Sequence, residues 1–161
     1  DEGTLITANA IWEDYKAVAA KDGISVIRIK SDRMLMAYGF LRKVFEVFEA
    51  YRTSIDMIAT SEVAVSLTID DPSSLQEITR ALAAYGAVEA ENEQTIICVV
   101  GDFRTSRVGS APEIFDALDK IPVKMISYGG SDNSVSILIN TKDKIQALNS
   151  LSKNIFSKND K

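Results

Sequence analysis

The feature that most constrains this sequence is an internal repeat. Two passes of one pattern of apolar and polar residues follow each other, and most matching positions are related by one constant offset along the chain. The matches are Val44-Phe45 with Ile114-Phe115, Ser66–Asp70 with Ser136–Asn140, Leu75 with Ile145 and, at a slightly shorter offset, Ile55–Ile58 with Val123–Ile126. Self-similarity of this kind predicts two copies of one supersecondary unit, so any site has to be argued for each copy separately.

Each copy follows the order strand, helix, strand, strand, helix. In the first copy, Leu41, Val44, Phe45 and Phe48 fall at i, i+3, i+4 and i+7, which predicts one apolar stripe along a helix. Two apolar runs, 55–59 and 63–69, flank a polar break at 60–62 and predict a β-hairpin. The strand predictions also include 15–20, closed by a Lys-Asp-Gly turn at 21–23, then 24–29 and a polar edge strand 87–92.

Split β-α-β units of this kind predict an α+β fold: two ferredoxin-like βαββαβ domains, each an antiparallel four-stranded sheet with its helices on one face. The second copy lacks a closing strand, and Tyr15–Ala20 can fill that place if the first unit is inserted in the second. The alternative is a second sheet that is one strand short. The insertion predicts a first domain at 24–93, a second at 14–23 plus 94–156, a linker at 1–12 and a tail at 157–161.

Composition excludes several classes of function. The 161 residues carry a net charge of −5, which argues against a nucleic-acid surface, and no uncharged apolar run approaches the ~18 residues that predict a membrane span. The chain has no histidine and no Gly-rich phosphate loop, so an enzyme active site is not expected. The lone Cys98 lies in an apolar run, is expected to be a buried small hydrophobe, and suits a reducing cytoplasm.

Two carboxylates of the hairpin are the candidate functional groups. Asp56 lies inside an apolar run, where Asp is depleted, and Glu62 lies at the turn. A charge in a strand must stay solvated or find a partner, so the hairpin is interpreted as holding the amine end of a small ligand. The alternatives are a solvated charge on an edge strand for Asp56 and an ordinary exposed turn residue for Glu62.

Three motifs resemble the regulatory part of aspartate kinase, and more narrowly its lysine-sensitive class. They are Met34-Leu-Met-Ala-Tyr-Gly-Phe-Leu41, Ser54-Ile-Asp-Met-Ile58 and Thr60-Ser-Glu-Val63. The resemblance implies a tandem pair of ACT domains, the first inserted in the second, that dimerise in the cytoplasm and bind an amino acid. It also implies that the kinase domain, with its ATP and magnesium, lies outside this sequence, that residues 1–12 resemble its tail, and that this chain needs no cofactor.

The resemblance further implies roles for individual residues. Gly39, Phe40 and Leu41 at the start of a helix would meet the ligand carboxylate, Asp56 its α-ammonium, and Glu62 the side-chain amine of lysine. The alternative for the first group is that Gly39 only begins the helix and Phe40 packs in the core. The pocket would be completed by Ser54, Ile55, Thr60, Ser61, Met34 and Ala37, although Met34 and Ala37 could instead serve only loop packing. Ala37 stands where the family often has serine. Lys124 occupies the place of Asp56 in the second copy, so that copy is expected to bind no amino acid in the same pose.

The leading hypothesis is therefore an allosteric domain through which L-lysine inhibits aspartate kinase, in the biosynthesis of the aspartate-derived amino acids. One alternative is a purely structural dimerisation module without a ligand. Another is a threonine-sensing domain. A small ferredoxin-like enzyme or an RNA binder fails on the absence of histidine, the acidic charge and the few clustered aromatic residues.

Overall fold

The computed structural model describes residues 15–31, 38–104 and 109–156. Its strands are β1 Tyr15–Lys30, β2 Ile58–Thr60, β3 Ala64–Ile69, β4 Ala87–Gly101, β5 Val123–Ser127 and β6 Ser134–Asn140. Its helices are α1 Phe40–Ala50, α2 Leu75–Leu82, α3 Ser110–Ala117 and α4 Lys144–Leu151, with a 3-10 turn at Thr141–Asp143 and a π-helical turn at Ser152–Phe156.

The strands form one antiparallel sheet in the order β2-β3-β1-β4-β6-β5. The predicted α+β class, with an antiparallel sheet and packed helices, is confirmed. The two four-stranded units are not separate sheets, because β1 and β4 are each long enough to serve both. The first half of the molecule is β2-β3-β1-β4, and the second half is β1-β4-β6-β5.

The turn predicted at residues 21–23 is wrong, since β1 continues through it. The register between β1 and β4 shifts between Lys21 and Val26, which marks a β-bulge. Gly23 has φ +76, and Glu93 on the facing part of β4 has φ +57. A residue with positive φ suits a bulge as well as a turn, so Lys-Asp-Gly bends the strand here and does not reverse it.

The N-terminal part of β1 lies where the second copy needs its closing strand. In β1, residues 17–21 pair with residues 96–100 of β4. The opposite edge of this part of β4 pairs with β6. The domain boundaries that follow from the insertion stay predictions.

A local two-fold axis relates the two halves. Lys21 pairs with Ile96, and the residues that correspond to them in the other copy, Glu91 and Val26, pair with each other. Each pair of facing residues in the β1–β4 ladder is thus matched by a second pair in which the repeat partners lie on the opposite strands. The repeat is therefore a structural symmetry as well as a sequence pattern.

Three apolar clusters stabilise the fold. One joins α1 and α2 to the first half of the sheet, and a second joins α3 and α4 to the second half. The third draws buried side chains from both halves: Ile24, Val26, Met57, Ile96, Met125 and Leu138. In β1 and β4 these residues alternate with those that face the helices, so the two halves pack together through their helix-free faces.

The apolar stripe predicted on α1 is only half right. Val44 and Phe48 are buried as predicted, but Leu41 and Phe45 are 37% and 42% exposed. Phe40 packs in the core instead of Leu41 and Phe45, because the buried face of the helix follows positions 40, 44 and 48. The repeat partner of Phe45, Phe115, is also exposed.

The predicted hairpin is present but its first strand is shorter. β2 begins at Ile58 and not at Ile55, because the Met57 amide donates to the Thr68 hydroxyl at 2.9 Å and interrupts the regular ladder. As a result, Asp56 and Glu62 flank β2 at its two ends.

Candidate ligand-binding site

Asp56 is fixed in place and already binds a primary ammonium group. Its amide donates to the Thr68 carbonyl at 2.9 Å, which anchors the backbone next to β3. Its carboxylate accepts a hydrogen bond from Lys21 Nζ at 2.7 Å, and its side chain is 23% exposed. This carboxylate is thus partly shielded from water and already paired with a cation of the chain itself, so its role in binding a ligand stays a prediction.

Lys21 is held by two carboxylates and not by one. Its Nζ lies 2.7 Å from Asp70 Oδ2 as well as 2.7 Å from Asp56 Oδ1. Hydrogen bonds to Asp56 and Asp70 raise the pKa of Lys21, and the hydrogen bond from Lys21 lowers the pKa of Asp70. The ammonium can therefore leave Asp56 and keep a partner.

Lys21 and Asp56 border a cleft of about 280 Å³ on the helix-free face of the second half. Its other lining residues are Ala19, Ala20, Met57, Ile96, Cys98 and Ser136. Cys98 is only partly buried here, where full burial was expected. The cleft gives a small ligand an apolar wall next to the Asp56 carboxylate.

The second half carries the same ion pair with its charges exchanged. Lys124 Nζ bonds to the Glu91 carboxylate, and the Lys124 side chain is 19% exposed. Lys21 and Glu91 are repeat partners, as are Asp56 and Lys124. That the second half binds no ammonium group stays a prediction. The position that corresponds to Asp56 holds Lys124, whose ammonium group is already paired with Glu91.

Lys21 and Asp70 were missed by sequence reasoning. The sequence predicts a turn at Lys21 and, for Asp70, a place in the repeat match Ser66–Asp70. The internal repeat is the signal that could reveal Lys21. Lys21 and Asp56 have the repeat partners Glu91 and Lys124, so the charge is reversed at both positions and each copy holds one acidic and one basic residue.

The ligand carboxylate is predicted to bind at the start of α1, and this stays a prediction. Gly39 precedes α1 with φ +79, and its carbonyl accepts the Lys43 amide at 3.2 Å. The first amides of the helix are therefore left for another acceptor. The Phe40 side chain is buried in the core, so only its backbone faces this position, whereas Leu41 is exposed.

The remaining predicted residues surround the hairpin. Ser54, Thr60 and Glu62 are exposed, and Ser61 donates its amide to the Ala64 carbonyl at 2.8 Å to form the turn. Ile55 is half-buried against the core beneath α1 and α2. Met34 and Ala37 lie outside the described residues.

Asp56 and Glu62 do not come close together within one chain. The segment between them is paired along β3 from the Asp56 amide to the Ser61 amide. An extended segment rises about 3.3 Å per residue, so five residues span roughly 16 Å. That distance exceeds the length of an extended lysine side chain, and one ligand cannot bridge both carboxylates of the same chain.

Acid is expected to destabilise the protein through the three carboxylates whose pKa is lowered by a lysine. The hydrogen bond from Lys144 lowers the pKa of Asp22, that from Lys21 the pKa of Asp70, and that from Lys124 the pKa of Glu91. Each folded-state pKa lies below the unfolded one, so the unfolded chain binds more protons in the window between them. The stability is thus present above about pH 5 and is lost as pH falls towards 3.

The melting temperature measured from pH 6 to pH 3 tests this expectation, and salt should flatten the curve because these groups are exposed. Lys144→Met provides the control, since it should reduce the pH dependence without changing its sign. A melting temperature that rises on acidification would contradict the assignment.

The described residues show no metal site and no membrane span. Within 15–31, 38–104 and 109–156, no three His, Cys, Asp or Glu side chains are grouped so that they could hold a metal ion. No helix in these ranges combines the length and apolarity needed to cross a bilayer.

Comparison with known proteins gives a consistent result. A family model described as "ACT domain" matches residues 97–155. The aspartokinase of Candida albicans is 36% identical over 141 residues, which cover 84% of this chain and 26% of that protein. A solved chain from Porphyromonas gingivalis W83, described as a C-terminal regulatory domain of aspartate kinase, is 49% identical with a TM-score of 0.78. That match covers 87% of this chain and 96% of the other.

Escherichia coli provides a further relative. Its lysine-sensitive aspartokinase 3 is 29% identical over 150 residues, covering 88% of this chain and 33% of that protein. The crystal structure of its aspartokinase III in complex with lysine and aspartate superposes with a TM-score of 0.82 at 29% identity, over 92% of this chain and 34% of that one. This chain spans about a quarter to a third of the length of the curated relatives it matches.

The matched parts are therefore the regulatory and not the catalytic portions of these enzymes. The antiparallel sheet, the packed helices and the near-complete overlap with a solved regulatory domain agree with one another. The chain belongs to the family of ACT-type regulatory domains of aspartate kinase.

Proposed function

We propose that this chain is the allosteric amino-acid sensor of an aspartate kinase and that L-lysine is its effector. The kinase would transfer a phosphoryl group from ATP to L-aspartate, giving 4-phospho-L-aspartate, in the cytoplasm. ATP and magnesium would bind to a kinase domain, and this chain would need no cofactor. Rising lysine would then lower flux into its own biosynthesis.

The observation that carries the proposal is the ion pair between Asp56 and Lys21. Asp56 holds the Nζ of a lysine side chain at 2.7 Å, so its position and partial burial suit a primary ammonium. The α-ammonium of a free amino acid has the same charge and hydrogen-bonding capacity. We infer that it takes the place of Lys21 at Asp56.

Lys21 then acts as an internal competitor. When the ligand occupies Asp56, Lys21 retains its contact with Asp70, so no cation is left unpaired. Lys21 belongs to the part of β1 that pairs with the second half, whereas Asp56 belongs to the hairpin of the first half. The exchange therefore alters a contact between the halves, and a ligand that changes this contact can favour one arrangement over another.

A second copy of the chain would complete the site. β2 is the outermost strand of its end of the sheet, and Ile58 and Val63 around it are 38% and 41% exposed. Antiparallel pairing of two β2 strands about a two-fold axis would bring Asp56 of one copy to Glu62 of the other. Lysine would then bind with its α-ammonium at Asp56 and its side-chain amine at the second copy's Glu62.

The E. coli relative supports lysine as the effector. That enzyme is named as lysine-sensitive, and its regulatory domain shares the fold of this chain in a structure that contains lysine. Both amines of lysine also have a carboxylate available in the paired arrangement, whereas threonine would leave Glu62 without a cation.

Titration calorimetry and thermal denaturation with lysine, threonine and methionine test the proposal. At 100 times its Kd, a bound ligand stabilises the folded state by about 2.7 kcal/mol. For a chain of this size that is a rise in melting temperature of roughly 5–10 °C. No rise with any of the three would favour the structural dimerisation module, and a rise with threonine alone would favour a threonine sensor.

A further inference from the structure

A second and larger cavity lies at the bend of the two long strands. It has a volume of about 740 Å³, and its lining includes neither Asp56 nor any residue of α1 or of the β2–β3 turn. The lining residues relevant here are Ser25, Glu93, Gln94, Asn140, Thr141 and Lys142. These side chains are polar, in contrast to the apolar cluster that fills the neighbouring helix-free face.

Gln94 lines this cavity and has an unpaired hydrogen-bond acceptor. The residue is only 3% exposed. Its Nε2 donates to the Asn92 carbonyl at 2.6 Å, but its Oε1 finds no hydrogen-bond donor among the described residues. Buried carbonyl oxygens are nearly always hydrogen-bonded, and an unpaired one lowers stability.

The repeat shows that the fold itself does not require a polar residue here. The repeat partner of Gln94 is Ile24, which is fully buried in the third apolar cluster and pairs with Gln94 across the β1–β4 ladder. The local two-fold axis thus passes between an isoleucine and a glutamine. An apolar residue at position 94 would satisfy the same backbone geometry at no cost in hydrogen bonding.

Two further residues that line the same cavity differ from their repeat partners. Glu93 adopts φ +57 at the place where its repeat partner is Gly23, a conformation that an L-residue with a side chain adopts at a cost. Lys142 stands where the first copy has Pro72, and it forms no ion pair with any described residue. The lining of one cavity therefore includes residues that carry a carboxylate, an unpaired carbonyl and an ammonium group.

We propose that this cavity is a second ligand site, separate from Asp56, for a small zwitterion such as an α-amino acid. The ligand's ammonium group would donate to Gln94 Oε1 and approach the Glu93 carboxylate. Its carboxylate would pair with Lys142. The ligand thereby supplies the donor that Gln94 lacks, and its position on the local axis allows it to contact both long strands at their bend.

Backbone-amide NMR of the Asp56→Asn variant tests this proposal apart from the site at Asp56. Glycine and L-threonine at millimolar concentration are expected to shift the amides of residues 93–95 and 140–142. Methylamine and acetate, which carry one charge each, are expected to cause much smaller shifts. Unmoved amides with both zwitterions, or equal shifts with the single charges, would overturn the proposal.

Gln94→Ile supplies the matched variant, because it installs the residue that the first copy uses. It is expected to abolish the shifts caused by glycine and to raise the melting temperature by about 2–4 °C. Retained binding, or a lower melting temperature, would show that Gln94 serves the fold and not a ligand. Glu93→Gly should likewise raise the melting temperature and weaken binding at least several-fold.

Discussion

Replacing Asp56 by asparagine is expected to weaken lysine binding by about ten- to one-hundred-fold. The amide preserves the shape of the side chain and one acceptor oxygen but removes the negative charge. A hydrogen bond between a carboxylate and an ammonium contributes about 1.5–3 kcal/mol. Calorimetric titration of the variant measures the loss directly, and its melting temperature without ligand should change little because the ion pair with Lys21 is partly exposed.

Lys21→Met is the control that shows whether Lys21 competes with the ligand for Asp56 or contributes to ligand binding. If Lys21 occupies the ammonium position, its removal should tighten lysine binding about two- to fivefold, the range expected for a partly exposed ion pair. Asp70→Asn should weaken binding slightly, because it removes the alternative partner of Lys21. Weaker binding in Lys21→Met would mean that Lys21 belongs to the ligand site and does not compete with the ligand.

A mixed dimer tests whether Asp56 and Glu62 act from different chains. Dimers of Asp56→Asn alone, or of Glu62→Gln alone, should bind weakly at both sites. A dimer with one chain of each kind should recover one site of full affinity, since the unchanged Asp56 and the unchanged Glu62 then meet across the axis. Two weak sites in the mixed dimer would place both carboxylates of a site in one chain.

The fold class could be predicted from the sequence because the repeat and the spacing of apolar residues both show which faces of the helices and strands are buried. The positions of Val44 and Phe48 define a helix face that the structure buries. Periodicity does not reveal which surface covers an apolar residue. Leu41 and Phe45 therefore looked like core residues, although they are exposed and available to a partner.

The continuity of the sheet could not be predicted, because turn chemistry and bulge chemistry coincide at Gly23. Its repeat partner Glu93 gives no turn signal at all, and only the pairing of β1 with β4 shows that both residues bend one shared ladder. The ion pair of Lys21 with Asp56 was equally hidden. It joins residues 35 positions apart that belong to different halves of the molecule.

Gly86→Ala is expected to reduce the free energy of unfolding by about 3 kcal/mol and the melting temperature by roughly 6–12 °C. Gly86 lies directly before β4, where a Cβ atom would sit 2.3 Å from the Lys30 carbonyl oxygen and 3.0 Å from Ser31 Cβ. The atom in the way belongs to the backbone, and Lys30 is held in the ladder opposite Ala87, so it cannot yield as a flexible side chain would.

Gly130→Ala is the matched control for that loss. A Cβ at Gly130 meets nothing nearer than Ser127 Oγ at 3.8 Å, and the same substitution there should change stability by less than about 0.5 kcal/mol. Denaturant unfolding of both variants measures the difference. β1 and β4 are the two strands that both halves share, so a clash at their paired ends should destabilise the first and second halves together in one cooperative transition. Two separate transitions in Gly86→Ala would instead show that the halves unfold independently despite their common strands.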